Sequence, residues 1–297
     1  MKKYICLAFS LIIFTCAYGN KTFSPDLNLV QTYEAADQSY KAEHSNPYMA
    51  VFRKDGKTLI YLASKHRYNE TNAFADYVFK RYKPQVAVIE IEITGRQFNP
   101  YDDEMWEGNH TAVLSAKNKI PVVRADLSLD GKWEKISKST DKYSYLDFQA
   151  FWIIMGMMSP SSPGRSTAVN EVKYNNRCNV NFGPCITADQ LNDWTKKNFG
   201  VKFDDMDFSD KKYKDITWPV TSPNYITNQI AIVEDKQRDL FMLENITAAL
   251  NKYKTVFAVF GEGHYVDQRQ ALENMLGKPE YIWEVPFEVK EEVLVPQ

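Results

Sequence analysis

Two histidines occupy the same kind of position in this chain. His66 follows the apolar run "KTLIYLA" and His264 follows "TVFAVFG", each just before a stretch of helical periodicity. Glu90 and Glu92 close the run "VAVIEIE", and Asp126 closes "PVVRAD". If these runs are strands of one open sheet, their carboxyl ends share a crevice, and two imidazoles and up to three carboxylates converge there. Such a set suits either of two chemistries: holding a divalent metal, or activating water with a His/Glu pair. The sharper His-Glu-x-x-His helix is absent. His44 and His110 lie in polar sequence and are read as exposed, without a role.

The elements that must position these residues follow from hydrophobic spacing. "YMAVFRKDGKTLIYLASKH" reads as two strands around a turn at Lys54-Asp55-Gly56-Lys57, because Asp-Gly between apolar runs marks a hairpin. Phe74, Tyr77, Val78 and Tyr82 then recur three and four apart, an amphipathic helix that Pro84 stops. "QVAVIEIEI" is a buried strand, "HTAVLSAKNK" a helix and "IPVVRADLS" another buried strand. This alternation predicts an α/β domain, a central, mostly parallel sheet flanked by helices.

Residues 131–221 break the pattern and are read as a helical insertion or cap. Its apolar face "FWIIMGMM" is assigned to core, with a Met-rich binding wall as the other use of such a surface. The alternation resumes where Ser222-Pro223 opens a long helix whose apolar face carries Ile226, Ile230, Val233, Leu240, Leu243 and Leu250. "TVFAVFGEGH" follows as a strand, "YVDQRQALENML" as a helix closed by Gly277, and "YIWEVPFEV" as a late strand.

The chain's start is of another kind. Lys2 and Lys3, the apolar stretch "YICLAFSLIIFTCAYG" and the small-residue site Ala17-Tyr18-Gly19 predict a signal peptide over residues 1–19, shorter than the roughly 20 apolar residues of a membrane span. Residues 20–297 are then one domain, secreted or periplasmic. Membrane association is expected only through lipidation at Cys16, a site that Phe14-Thr15 fits poorly. The formal charge of −2 becomes −4 once Lys2 and Lys3 are removed, and no nucleic-acid partner is expected. Cys178 and Cys185 remain as an even pair in an oxidising compartment, expected as a disulfide.

Set in order, these motifs resemble the TraB/Tiki-like families. "LIYLASKHRYNETNAFADYVFKRYKPQVAVIEIEITGR" is similar to their opening, a strand ending in Gly-x-x-His, then a Ser or Thr, then a Pro leading into a strand that closes on Glu. The matching positions are His66, Thr71, Pro84 and Glu90, with Ala63 standing where the family has glycine. "QRDLFMLENI" looks like the family's Arg-containing helix and places Arg238, and "VFAVFGEGHY" matches the second Gly-x-x-His through Gly261 and His264. Erythromycin-esterase-like hydrolases and ChaN-like haem-binding lipoproteins belong to the same superfamily.

The resemblance implies a metal-dependent hydrolase with a peptide or small-molecule substrate, Tiki-like in type. His66, Glu90 and His264 would hold Zn, Mn or Co with a position open to water. Glu90 joins the metal and the chemistry, Glu262 or Glu92 takes a proton, and Arg238 steadies the oxyanion. Two further readings follow from the superfamily: a metal-free esterase-type hydrolase with His66 or His264 as base beside Glu90, and a ChaN-like protein holding haem among its many Tyr and Phe side chains. In the metal-dependent reading the ligand imidazole is neutral, so activity is expected to fall as pH drops through about 6.5.

Overall fold

The computed structural model describes residues 22–32, 47–92, 106–157, 165–175, 178–210, 213, 216 and 224–285. The sequence-predicted signal peptide, His44 and the Ser222-Pro223 pair lie outside them.

The expected hairpin forms first. β1 (Tyr48–Lys54) and β2 (Lys57–Ser64) pair antiparallel around Asp55 and Gly56, whose φ of 49° and 75° are those of the tight turn that Asp-Gly favours. After it come α1 (Asn69–Tyr82), β3 (Val86–Glu92), α2 (Glu107–Lys117) and β4 (Val122–Asp126). α1 stops where Lys83 turns left-handed (φ 48°) ahead of Pro84. β5 (Thr255–Gly261) and β6 (Glu280–Ile282) complete one sheet in the order β4-β3-β5-β2-β1-β6. β4, β3, β5 and β2 run parallel, and β1 is antiparallel to both its neighbours.

The apolar runs of β2, β3 and β5 are continuous because both faces of the sheet are covered. Alternate residues divide between them. Tyr61, Ala63, Val88, Ala258 and Phe260 pack under α7 (Ile226–Lys252) and α8 (Glu262–Leu276), against Leu243, Ile246, Val266 and Leu272. Ile60, Leu62, Ile89, Phe257 and Val259 pack on the other face, against Phe74 and Val78 of α1 and Ala112 of α2. β3 therefore hands the chain to one face and β5 to the other. Adjacent parallel strands whose connections leave to opposite faces open a crevice at their carboxyl ends.

Between β4 and α7 lie α3 (Leu129–Ser139), α4 (Tyr145–Met157), α5 (Ala168–Asn175) and α6 (Ala188–Phe199). α6 opens on a full capping box, Thr187 with Gln190, and closes at Gly200 with φ 76°. These helices build two apolar clusters, one largely their own around Ile154, Leu191, Trp194 and Phe203, and one joining Trp133, Phe148 and Phe151 to Ile230 and Ala231 of α7. Cys178 and Cys185 are disulfide-bonded, their Cα atoms 5.5 Å apart. Among the described residues, no helix is long and apolar enough to cross a membrane.

Two expectations are corrected. The last helix begins at Glu262, immediately after β5, so His264 lies inside its first turn rather than ahead of it. His110 is in α2, not in a surface loop; α2 packs on α1, which brings Nε2 to 3.1 Å from Asp76 Oδ1.

Candidate functional site

The crevice holds a cavity of about 370 Å³, a size usual for small-molecule sites. β2 and β5 end side by side, Ser64 opposite Gly261, and β3 brings Glu90 beside them. Gly261 is needed for space, since its φ of −52° suits any residue. A Cβ there would stand 3.2 Å from His66 Nε2 and 3.5 Å from Glu90 Oε2. Ala63, by contrast, is buried in extended backbone opposite Phe260 and has no positive φ, so the absence of glycine costs nothing there.

Glu90 is engaged on every side. Its Oε2 accepts the Gly261 N–H at 2.7 Å, and its Oε1 takes Arg238 Nη2 at 2.9 Å with His264 Nε2 at 3.3 Å. Burial opposes ionisation, but the His264 imidazolium, with Arg238 and His66 behind it, holds this carboxyl well below the usual carboxylate range. Arg238 also grips Asp126 through two N–H groups, Nε at 2.9 Å and Nη2 at 3.1 Å. It is thus a clamp between β3, β4 and α7, with most of its donors spent.

His264 is held at both ends. Nδ1 lies 2.9 Å from Oδ1 of Asp239, which is fully buried and also accepts from Gln268 Nε2 at 2.7 Å. Burial would neutralise this ring, but Asp239 and then Glu90 raise its pKa well above the ordinary histidine value, so it is an imidazolium at neutral pH.

His66 differs. Nδ1 is 2.5 Å from Glu107 Oε1, and the ring stacks on Trp106 with centroids 4.6 Å apart and planes 11° from parallel. Glu107 is fixed in turn by Ser64 Oγ at 2.8 Å. Thr71 Oγ1 donates to the Lys65 carbonyl at 2.8 Å and closes the loop that carries His66. Nε2 has no protein partner among the described residues, and the ring lines the cavity. Burial lowers its pKa, but the hydrogen bond to Glu107 and the charge of Glu90 outweigh that and raise it above the ordinary value.

The rest of the wall comes from α4 and α7. Phe151, Trp152 and Met155 give it an apolar side, so the "FWIIMGMM" segment serves both as core and as cavity wall. Lys132, nearly buried, sits 3.3 Å from Glu234 Oε1, 3.6 Å from Glu92 and 3.8 Å from Asp126, with its ammonium 4.6 Å above the Trp152 ring. Beyond the Glu90–Arg238 pair a second hollow of about 430 Å³ is lined by Glu92, Trp106, Asn109 and Asp126.

Of the sequence-predicted residues, His66, Glu90, Arg238, Glu262 and His264 all line the main cavity, whereas Glu92 and Asp126 face the second hollow. Sequence reasoning missed Glu107, Asp239 and Lys132. The available signal was charge at helical spacing inside apolar sequence: Glu234, Asp235, Arg238 and Asp239 interrupt the core face of α7.

The expected metal set does not fit an ion in this arrangement. Both nitrogens of His264 face carboxylates, both oxygens of Glu90 are taken by Gly261, Arg238 and His264, and only His66 Nε2 offers an uncommitted lone pair. Among the described residues no three His, Cys, Asp or Glu side chains are grouped as a metal ion requires. Haem fits no better: Tyr48, Tyr61 and Tyr265 are packed in the core, and no tyrosine lines the cavity. Compared with known protein families, curated proteins and solved structures, the chain matches none.

Proposed function

We propose that this protein is a hydrolase of esters or amides that activates water with His66 and needs no metal ion. The observation that carries the reading is the state of His66: Nδ1 fixed by Glu107, the ring fixed by Trp106, and Nε2 uncommitted at the wall of a ligand-sized cavity. That is the arrangement of a general base. Nε2 takes a proton from water as the oxygen attacks the carbonyl carbon. The same proton then passes to the leaving alcohol or amine as its bond to carbon breaks, giving a carboxylic acid and the free alcohol or amine. Donors for the developing oxyanion are at hand in Trp152, whose Nε1–H is buried with no partner among the described residues, and in the first turn of α8, which has no side-chain cap. The cationic His264 sets the field beside Glu90.

Within the superfamily that the sequence resembles, the reading follows the esterase-like group and departs from the metal dependence that the TraB/Tiki-like resemblance implies. The disulfide supports work in an oxidising compartment, outside the cytosol. The test is hydrolysis of p-nitrophenyl butyrate by protein dialysed against EDTA and checked by elemental analysis. Activity should persist without metal and fall by about 10²- to 10⁴-fold in His66→Ala. Loss on chelation, restored by Zn²⁺ or Mn²⁺, would replace this reading with the metal-dependent one.

A further inference from the structure

The charges on the cavity wall are matched to one another. Arg238 bridges Asp126 and Glu90, each at 2.9 Å, with Asp235 at 3.3 Å. His264 lies between Asp239 and Glu90, and Asp267 is hydrogen-bonded to the same Asp239. Glu234 faces Lys132 at 3.3 Å, and Glu262 is engaged as well. Lys65 lines the cavity from its exposed side, with its ammonium 4.1 Å from the centre of the Tyr68 ring, where water and salt screen it. His66 is tied to Glu107 through Nδ1 and keeps Nε2 for the reacting proton. A charged ligand would therefore enter without a buried group of opposite sign to meet it, and its desolvation would count against it.

What the wall leaves open is apolar. Trp152 and Met155 stand three positions apart on one face of α4, both half-buried, and the buried Phe151 and Ala231 complete that side of the cavity. Met155 is unbranched and flexible, so it can follow chains of varied shape. The oxyanion assigned to Trp152 Nε1 forms on the acyl carbon, so the chain carried by that carbon is the part of the substrate nearest Met155, one turn along the helix. We propose that the substrate is an uncharged ester or amide with an apolar acyl chain, the chain lying along Trp152 and Met155. The cavity of about 370 Å³ has room for it. Its turnover rests on the hydrolase reading; the binding of an uncharged apolar chain does not.

The test has a binding arm and a turnover arm. In the first, N-phenyl-1-naphthylamine, a neutral dye that fluoresces in apolar surroundings, is bound to the purified protein at pH 8 and displaced with 1-octanol, octylammonium chloride or sodium octanoate. Octanol should compete about tenfold or more tightly than either ion. In the second, kcat/KM for p-nitrophenyl acetate, butyrate and hexanoate should rise about fourfold per methylene. Met155→Gln should lower the hexanoate-to-acetate ratio by about tenfold. Should that variant fold poorly by circular dichroism, the parent protein's chain-length series and ion comparison decide alone. Octylammonium competing as tightly as octanol would mean that the acids are not matched, and octanoate doing so would hand the site to Lys65 and His66; either result overturns the proposal. Octanol displacing the dye from a protein without hydrolytic activity would keep the apolar site and remove the hydrolase reading. Equal kcat/KM for acetate and hexanoate would do the reverse.

Discussion

A methyl group on Gly261 would stand 3.2 Å from Nε2 of His66, the nitrogen to which the chemistry is assigned. The two residues come from neighbouring parallel strands, so strand packing itself sets the space in front of the base. Gly261→Ala keeps an allowed backbone conformation and the N–H that Glu90 accepts, but the imidazole held by Trp106 and Glu107 must give by a few tenths of an ångström. We expect hydrolysis to fall by about tenfold to a hundredfold, with a loss of only about 1 kcal/mol in urea unfolding. A variant as active as the parent would remove His66 Nε2 from the reacting centre.

Glu107 sets the working pH. Its carboxylate raises the pKa of His66, and a general base works only once deprotonated, so activity should rise with pH through a midpoint above the ordinary histidine value of about 6.5. Glu107→Gln keeps the shape of the hydrogen bond and removes the charge. The rising limb should then move to lower pH, and the plateau rate fall by about tenfold because a less basic imidazole is a poorer base. A role for Glu107 in folding alone leaves the midpoint where it was, so the pH–rate profile separates the two.

The scaffold was far more legible in the sequence than the charges that tune it. β2, β3 and β5 announce themselves because a parallel strand covered on both faces is apolar throughout, and a parallel sheet places the ends of such strands together. His66, Glu90 and His264 could be paired on that basis alone. Glu107 and Lys132 could not, because a charged residue on a helix looks the same in sequence whether it meets water or a buried partner; the charges that interrupt the apolar face of α7 mark Asp239 as buried without naming its partner. Asp239 is fully buried against His264 25 positions away, and Glu107 reaches His66 from 41 positions away. The start of α8 was misplaced by a different cause: Gly-Glu-Gly reads as a turn, yet Gly261 is the N-cap and Gly263 is already helical.

The disulfide braces the cavity wall from behind. The loop it closes packs Phe182 on Tyr145 with ring centroids 5.8 Å apart, and Asn179 N–H donates to Tyr145 Oη at 2.6 Å, both at the first residue of α4. Its loop is short, so replacing Cys178 and Cys185 together by serine should cost about 2 kcal/mol. Because α4 carries Phe151, Trp152 and Met155, KM should rise more than kcat falls. An unchanged KM would separate this loop from the cavity.

His264 and Asp267 tie stability to pH in the same direction. The folded pKa of His264 lies above its unfolded value of about 6.5, so its contribution is complete below that pH and is lost as pH rises through the folded value. Asp267 is raised from 3.8 to about 9, so the fold binds a proton that the unfolded chain has released, and the cost of giving it up grows as pH climbs towards 9. Glu90, held low, acts only in acid, where its contribution is lost as pH falls below the usual carboxylate range. The urea midpoint of the parent protein should therefore decline between pH 6.5 and 9. Asp267→Asn has no proton to lose at that position, so its decline across that range should be shallower than the parent's. Parallel pH dependences for the two proteins would mean that Asp267 is already ionised in the fold, and that the proton expected beside Asp239 is not there.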